Sequence, residues 1–402
     1  MVYNFDSGMW QCDGVAEFLM NENHAVISKK NVALACLMCT IPFDDEGGIY
    51  RLSVSCEFKN CKNATAPYVV VTQLDENKNH IMSAYGENVD FEGKVKKCCF
   101  EIKEGCKALS VELGLKFEGE VAFTCPVLEK CEIPEKRNVK VAATYLDYSP
   151  TEEVALSRIS EMIDNVSKEK PDIVILSETL NTLGCNLAPE NKPRTINDSF
   201  CTLMREKARE YNTYIVANFI EKDGADCYNT SVLIDRKGDI AGKYRKTHIT
   251  YDEWDSGIIP GAELPVFETD FGKVGLLICW DAYFPETARI LASKGAELIV
   301  VSTIGDASIR HISRALENGV YVAVAGAHWR NLNNCGIEPS KIISPCGEIL
   351  SQTKESGKAA IAEIDLNDKG NIPWLSFAGK NIVPNNVYLN ERRTDMYSDI
   401  MK

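Results

Sequence analysis

Hydrophobic and polar positions follow two different periods along the chain. In residues 1–135, apolar residues alternate with polar ones over short runs, and turn residues separate the runs. This alternation is the period of a β-strand that buries one face. We therefore predict that residues 1–135 form an all-β sandwich. The runs are "IYRLSVSCEF", "YVVVTQLD", "KKCCFEI", "ALSVELGL" and "EVAFTCPVLEK".

The charged, proline-containing stretch "CEIPEKRN" (131–138) reads as a linker, and the pattern changes after it. Continuous apolar runs, which are typical of strands buried on both faces, now alternate with segments of helical spacing. One such segment, "TEEVALSRISEMIDNVSKEK" (151–170), carries acidic residues in its first turn. Alternating strands and helices predict an α/β domain over residues 136–402.

Length and charge limit the classes of partner. A chain of 402 residues is too long for one ordinary core and favours two domains. Its formal net charge of −14 argues against nucleic acid or an anionic membrane as a partner. The N-terminal residues lack a basic and apolar leader, and no apolar run reaches the length of a membrane span. We expect a cytoplasmic protein that does not bind membranes.

The chain contains 16 cysteines, most of them in its first third. Without an export leader, reduced thiols used as small apolar residues are the simpler interpretation. The stretch "CLMC" (36–39) has the spacing of half a zinc site. A structural zinc site needs a second pair of ligands at a similar spacing, and none is convincing. We therefore predict no metal site.

Three polar residues lie at or near the ends of predicted strands in the second domain. Glu178 follows "DIVILS", Lys246 lies in "KYRKTH", and Cys279 follows "VGLLI". A carboxylate can take the proton of a thiol, and an ammonium can stabilise a thiolate or an oxyanion. Together these groups suffice for acyl transfer. Taken singly, each has a simpler explanation in packing, solvation or capping.

The order of strands and turns in residues 1–135 resembles a carbohydrate-binding-module-like jelly roll. The resemblance rests on "YRLSVSCEFKN", "VVVTQLDENKN" and "FEGEVAFTCPVLEK". It implies a fold rather than sugar binding, since Trp10 is the only tryptophan in this region. An accessory or assembly role is the expected one.

The second domain resembles the nitrilase superfamily of carbon–nitrogen hydrolases. Three segments carry the resemblance, in the family's order: "DIVILSETL", "YRKTHI" and "GLLICWDAYFPETARILASKGAELIVV". The stretches "YNTSVLIDRKGDIAGKYRK", "ALENGVYVAVAG", "SPCGEIL" and "ERRTDMY" agree with it. The resemblance covers about residues 138–398.

This resemblance implies a four-layer α-β-β-α sandwich, no cofactor and a Glu–Lys–Cys triad formed by Glu178, Lys246 and Cys279. It also implies a second active-site glutamate, for which Glu253 is the matching position by spacing. The backbone N–H of Trp280 is the expected second oxyanion donor. The implied substrate is a small amide or N-carbamoyl compound, and the implied assembly is a homodimer or a higher homo-oligomer. The apolar tail 371–402 is expected to take part in that dimer.

Two other interpretations remain open. A Cys–His acyl transferase would use His248, which a continuous strand would place on the same face as Lys246. Alternatively, the chain could be a binding or assembly protein that keeps an inactive hydrolase fold. Mutation of His248 tests the first alternative, and a covalent adduct on Cys279 tests the second.

Overall fold

The computed structural model describes most of the chain as two compact units. One unit comprises Met1–Glu135 with Asn371–Lys402, and the other comprises Lys136–Gly370. The described residues are 1–5, 8–31, 33–45, 47–61, 67–88, 94–132, 135–305, 308–328, 338–370, 372–374, 380–382, 392 and 396–397.

The first unit is built from antiparallel strands in two sheets. One sheet has the order β1-β4-β10-β6-β7; the other has the order β2-β3-β11-β5-β9-β8, with β12 paired to β5. The strands are β1 (Trp10–Gly14), β2 (Glu17–Met20), β3 (His24–Lys29), β4 (Ala35–Pro42), β5 (Ile49–Lys59), β6 (Pro67–Leu74), β7 (His80–Tyr85), β8 (Glu87–Asn88), β9 (Val95–Glu101), β10 (Ala108–Leu115), β11 (Gly119–Thr124) and β12 (Val127–Cys131).

Alternate residues of these strands form one core. In β5, for example, Leu52 and Val54 are buried whereas Ser55 is exposed. A single hydrophobic cluster contains residues from both sheets, as the predicted β-sandwich requires. Cys36 and Cys39 are buried free thiols of β4, in line with their use as small apolar residues. The relationship to carbohydrate-binding modules stays a prediction.

The second unit alternates strands and helices. Its elements are β13 (Asn138–Asp147), α1 (Glu152–Val166), β14 (Ile173–Ile175), α2 (Ser199–Tyr211), β15 (Tyr214–Asp223), β16 (Asp226–Ile234), β17 (Ile240–Arg245), α3 (Tyr251–Asp255), β18 (Val266–Glu268), β19 (Lys273–Ile278), α4 (Pro285–Ser293), β20 (Leu298–Ser302), α5 (Ser308–Asn318), β21 (Tyr321–Ala325), β22 (Ala327–His328), β23 (Ser340–Ile343), β24 (Ile349–Thr353) and β25 (Lys358–Asp365). Short 3₁₀ turns cover Ser167–Glu169, Pro189–Asn191 and Cys279–Tyr283.

Two sheets form the centre of this unit, with parallel strands in the middle of each. Their orders are β17-β16-β15-β14-β13-β22, with β25 paired to β13, and β18-β19-β20-β21-β23-β24. One cluster packs α1 and α2 on the first sheet, a second joins the facing sheets, and a third packs α4 and α5 on the second sheet. The layers therefore follow the predicted order α-β-β-α.

Several boundaries differ from the predicted ones. The strand predicted to lead directly into Glu178 is only Ile173–Ile175, and the strand predicted to contain Lys246 ends at Arg245. The predicted hydrolase domain, 136–402, is longer than the second compact unit by residues 371–402. Within that tail, β26 (Ile372–Trp374) and β27 (Lys380–Ile382) form an antiparallel pair. The other tail residues on which the dimer prediction rests lie outside the described part.

The described residues contain no helix with the length and apolar character of a transmembrane span. Within the same ranges, no group of three or more His, Cys, Asp or Glu side chains is placed to bind a metal ion.

Candidate active site

Glu178, Lys246 and Cys279 come together in one cavity of the second unit. Each follows the end of a strand: Glu178 comes after β14, Lys246 directly after β17, and Cys279 directly after β19. Because the two sheets pack face to face, these strand ends meet at the same edge of the sandwich. The cavity has a volume of 590 Å³, and the three side chains line it together with Glu253.

Lys246 is the centre of the polar cluster. Its side chain is buried, and its Nζ lies 3.1 Å from Glu178 Oε1 and 2.8 Å from Glu253 Oε2. Burial alone would lower the pKa of Lys246, but the charges of the Glu178 and Glu253 carboxylates outweigh it and raise this pKa. Lys246 is therefore a permanent ammonium at neutral pH.

Glu253 is fixed by the short helix α3. Thr250 caps this helix by accepting a hydrogen bond from the Glu253 N–H, and Glu253 Oε2 accepts one from the Thr250 N–H at 2.8 Å. This reciprocal pair is a capping box. The same carboxylate also binds Lys246, so the cap of α3 sets the position of the second glutamate in the cavity.

Asn229 is a residue of the cavity that the sequence analysis missed. Its Nδ2 donates to Glu178 Oε1 at 2.8 Å and to Glu253 Oε1 at 2.7 Å. Asn218 Nδ2 in turn donates to Asn229 Oδ1 at 2.9 Å, which fixes the orientation of the amide. Asn218 interrupts the apolar sequence of β15, and a buried amide of this kind needs hydrogen-bond partners. Asn229 lies in the polar stretch 229–231 of β16, so the only available signal was its neighbour Asn218.

Glu178 presents one oxygen to this cluster and keeps the other apart. Oε1 accepts hydrogen bonds from Lys246 and Asn229, whereas Oε2 is buried and accepts none from the described residues. The following residue, Thr179, has a positive φ of 48°, and its N–H donates to Asn218 Oδ1. The tight turn after β14 therefore fixes the direction of the carboxylate.

Cys279 occupies a strained turn between β19 and a 3₁₀ turn. Its φ is 42°, a left-handed conformation that is uncommon for a residue with a side chain and frequent at functional sites. Burial, followed by the charge of Glu178, raises the pKa of Cys279 to about 12, and Lys246 acts against this shift. The resting group is therefore a neutral thiol.

A 3₁₀ turn, Cys279–Tyr283, separates the nucleophile from the following helix. Pro285 is the first residue of α4, a position where a missing N–H leaves no helix hydrogen bond unmade. The Trp280 ring lies 4.3 Å from that of Tyr283 and is partly exposed. The ring is absent from the described lining of the cavity. The role of its backbone N–H stays a prediction.

His248 does not share a face with Lys246. The two residues follow the end of β17, and their side chains diverge: the His248 ring stacks on Phe284 at 4.0 Å. Its Nδ1 lies 3.1 Å from Asp281 Oδ1. His248 does not belong to the described lining of the cavity, whereas Glu178 does. The geometry therefore favours Glu178 as the base for Cys279.

A thiol, two carboxylates and a buried ammonium at converging strand ends are the groups that thiol-dependent acyl transfer requires. The rest of the cavity is mixed in character, with apolar walls and a few polar side chains. The apolar residues are Leu183, Ile220, Ile258 and Ile304, and the polar ones include Thr182, Lys192 and Ser256.

Residues 140–373 match the carbon–nitrogen hydrolase family. This match covers more than half of the chain, and the chain belongs to that family. Residues 1–139 lie outside the match.

Comparisons with individual proteins agree with this assignment. A nitrilase from Pyrococcus abyssi (strain GE5 / Orsay) is 36% identical over 222 residues, which cover 52% of this chain and 83% of that protein. Omega-amidase NIT2 of Bos taurus is 29% identical over 277 residues, covering 64% of this chain and 96% of the relative. The crystal structure of Saccharomyces cerevisiae Nit3, a member of branch 10 of the nitrilase superfamily, aligns with a TM-score of 0.51 at 25% identity. It covers 58% of this chain and 92% of Nit3.

Proposed function

We propose that this protein hydrolyses a non-peptide carbon–nitrogen bond of a small amide or N-carbamoyl compound through a Cys279 thioester. The observation that carries the proposal is the cluster at the cavity floor. There, the Lys246 ammonium is held 3.1 Å from Glu178 and 2.8 Å from Glu253, beside the thiol of Cys279. The relative named omega-amidase supports an amide substrate.

In the proposed acylation step, Cys279 attacks the carbonyl carbon of the substrate. A bond forms between Sγ and this carbon while the thiol proton moves to Glu178, whose Oε2 has no donor among the described residues. Lys246 and the Trp280 N–H stabilise the oxyanion. Glu178 then gives the proton to the leaving nitrogen, the C–N bond breaks, and ammonia or an amine departs.

In the proposed deacylation step, water attacks the thioester carbon. Glu178 takes a proton from this water, with Glu253 as its neighbour across Lys246, and the second oxyanion is held as before. The C–S bond breaks, the proton returns to Cys279, and the acid is released. The chain's own side chains and water carry every proton and electron pair, so the proposed reaction requires no cofactor.

Timed ammonia release across three substrate classes tests the proposal. Linear amides, N-carbamoyl compounds and nitriles are compared at equal concentration, and intact mass is recorded during turnover. We expect ammonia from an amide or N-carbamoyl compound and an acyl adduct on the wild-type chain that Cys279→Ala lacks. Release of ammonia by Cys279→Ala at the wild-type rate would contradict the proposal, as would an inactive wild type that also fails to react with a small electrophile.

The His248→Ala variant separates this mechanism from a Cys–His acyl transferase. Its ring stacks on Phe284 outside the described lining of the cavity, so we expect most of the activity to remain. Complete loss of acylation in His248→Ala, with the fold intact, would favour the histidine mechanism. The Lys246→Met variant should instead lose about 100-fold or more in kcat, as expected when an oxyanion donor is removed.

A further inference from the structure

Asp281 is a buried carboxylate that the proposed reaction does not use. It lies two residues after Cys279, inside the 3₁₀ turn, and its side chain is fully buried. Buried carboxylates are costly unless they are hydrogen-bonded, so the partners of Asp281 indicate what this position contributes. Those partners come from two chain segments, and each segment carries a residue of the proposed triad.

The first segment is the nucleophile turn itself. Asp281 Oδ2 accepts a hydrogen bond from the Ile278 N–H at 3.0 Å. The bond closes a ring around Cys279 and supports the left-handed φ of 42° at that residue. The Thr287 hydroxyl donates to the Asp281 carbonyl oxygen at 3.0 Å and connects the same turn to α4.

The second segment, residues 244–248, contains Lys246. The Tyr244 hydroxyl donates to Asp281 Oδ2 at 2.6 Å, and the Thr247 hydroxyl donates to Oδ1 at 3.1 Å. The His248 N–H donates to Oδ1 at 2.9 Å. Burial raises the pKa of Tyr244 well above its usual value, so its hydroxyl remains a donor at every working pH.

We infer that Asp281 is a positioning residue that joins the Cys279 turn to the Lys246 segment. Its carboxylate receives a hydrogen bond from the residue before Cys279 and hydrogen bonds from residues on both sides of Lys246. The strands that lead into these two segments, β19 and β17, belong to different sheets. It thereby fixes the distance between the ammonium and the thiol without contacting substrate. The catalytic importance of this distance rests on the proposed function. The distance also affects the acidity of the Cys279 thiol, which can be measured without a substrate.

That consequence is the acidity of the thiol. The charged groups that act on Cys279 are Glu178, which raises its pKa, and Lys246, which lowers it. Glu253 also binds Lys246. If the hydrogen bonds of Asp281 to the two segments are lost, we expect Lys246 to stay with Glu178 and Glu253 and to move away from the Cys279 thiol. The Cys279 pKa then rises further and oxyanion stabilisation weakens together with it.

The test compares Asp281→Asn with wild type in the full-length protein. Asparagine keeps the size of the side chain but has only one acceptor oxygen, whereas the donors around Asp281 are shared between its two carboxylate oxygens. We expect kcat on the best amide to fall about 100-fold, as for a misplacement near 1 Å, while KM changes little. The rate of iodoacetamide alkylation of Cys279, followed by intact mass against pH, should shift to higher pH.

The variants Tyr244→Phe and Thr247→Val give the same test with smaller changes, and they decide the question if Asp281→Asn does not fold. Each should shift the alkylation profile in the same direction, and Tyr244→Phe combined with Asp281→Asn should be less than additive. The control is Glu297→Gln. This carboxylate is partly buried, lies outside the described lining of the cavity, and accepts hydrogen bonds from Arg137 and from the Lys273 N–H. The control variant should leave the alkylation profile unchanged.

An unchanged alkylation profile in folded Asp281→Asn would overturn the inference, as would a loss of activity that only follows a loss of thermal stability. If wild type hydrolyses no amide, the proposed function fails on its own. The alkylation profiles still test the position of Lys246 against Cys279, since they require no substrate.

Discussion

The thiol of Cys279 has a raised pKa, and its proposed base, Glu178, has one oxygen that accepts no hydrogen bond from the described residues. Because burial raises the thiol pKa to about 12, a free thiolate is scarce at neutral pH. Proton transfer to Glu178 therefore has to accompany attack on the substrate. The raised pKa also affects folding stability, because the thiol of the unfolded chain loses its proton at a lower pH than the buried thiol does. The contribution of Cys279 to the free energy of unfolding is therefore complete below a pH of about 8.5. It is lost as the pH rises towards 12.

The Cys279→Ser variant should keep the fold and abolish turnover. The replacement keeps the shape of the side chain but leaves a hydroxyl whose pKa is too high for this base. Ammonia release from the best amide and a far-ultraviolet circular dichroism spectrum measure the two outcomes. Hydrolysis near the wild-type rate would mean that another group is the nucleophile.

The Glu178→Gln variant should bind substrate but fail to form the thioester. Its amide oxygen can still accept from Lys246 and Asn229, as Oε1 of the glutamate does, but the second position can no longer take a proton. Intact mass after rapid mixing measures acylation, and competition with the best amide measures binding. Rapid thioester formation by this variant would refute the role of Glu178 as the base.

Among the secondary-structure elements, a buried ionic cluster joins helix α5 to strand β23. The Glu338 carboxylate lies 3.0 Å from His311 Nδ1 and 2.7 Å from Lys341 Nζ, and all three side chains are buried. Burial alone would raise the Glu338 pKa, but hydrogen bonds and charges from His311 and Lys341 lower it to about 2. This cluster lies outside the described lining of the cavity and serves packing.

The Glu338→Gln variant should lose about 3 kcal/mol of unfolding free energy at neutral pH, because it removes a buried negative charge that is paired with the buried Lys341 ammonium. The folded pKa lies below the unfolded value of about 4.3, so this stabilisation is complete above that value. It disappears as the pH falls towards 2. Urea unfolding at pH 7 and at pH 3 measures the loss of unfolding free energy and its dependence on pH. The control is Glu161→Gln, at an exposed position of α1. Equal differences at the two pH values would contradict the assignment.

The sequence alone predicted that the three candidate residues lie at or near strand ends, but not the contacts between them. Glu178, Lys246 and Cys279 follow apolar runs whose ends are visible as abrupt changes of polarity. Asn229 lies within β16 and contacts glutamates that are 51 and 24 residues away. Such contacts depend on which strands become neighbours in the sheets. The local pattern of hydrophobic and polar residues does not predict this pairing. The strand predicted through Lys246 was too long for a related reason, since the hydrogen bonds to Asp281 determine the path of residues 246–248.

At the scale of the whole molecule, we predict a homodimer through the helices beside the active site. The outer faces of α4 and α5 expose Ile290 (40%), Ile309 (74%) and Leu316 (38%). Apolar residues grouped on neighbouring helices are typical of an interface, and a twofold symmetric pair is the commonest arrangement. Sedimentation at micromolar concentration should give twice the chain mass of 44.7 kDa.

The Ile309→Asp variant should shift this equilibrium to monomer, whereas Val154→Asp on the exposed side of α1 should not. A wild-type monomer would refute the dimer. Deletion of residues 371–402 tests the separate prediction that the tail contributes to it; an intact dimer after deletion would remove the tail from the interface.

Asn229 also makes the site observable by spectroscopy. Its Nδ2 donates to both carboxylates of the cavity, at 2.8 Å from Glu178 Oε1 and 2.7 Å from Glu253 Oε1. The chemical shift of such an amide proton depends on whether the acceptor is charged. Selective ¹⁵N labelling of asparagine would therefore give a nuclear magnetic resonance signal that reports, proton by proton, which glutamate is neutral at each stage of turnover.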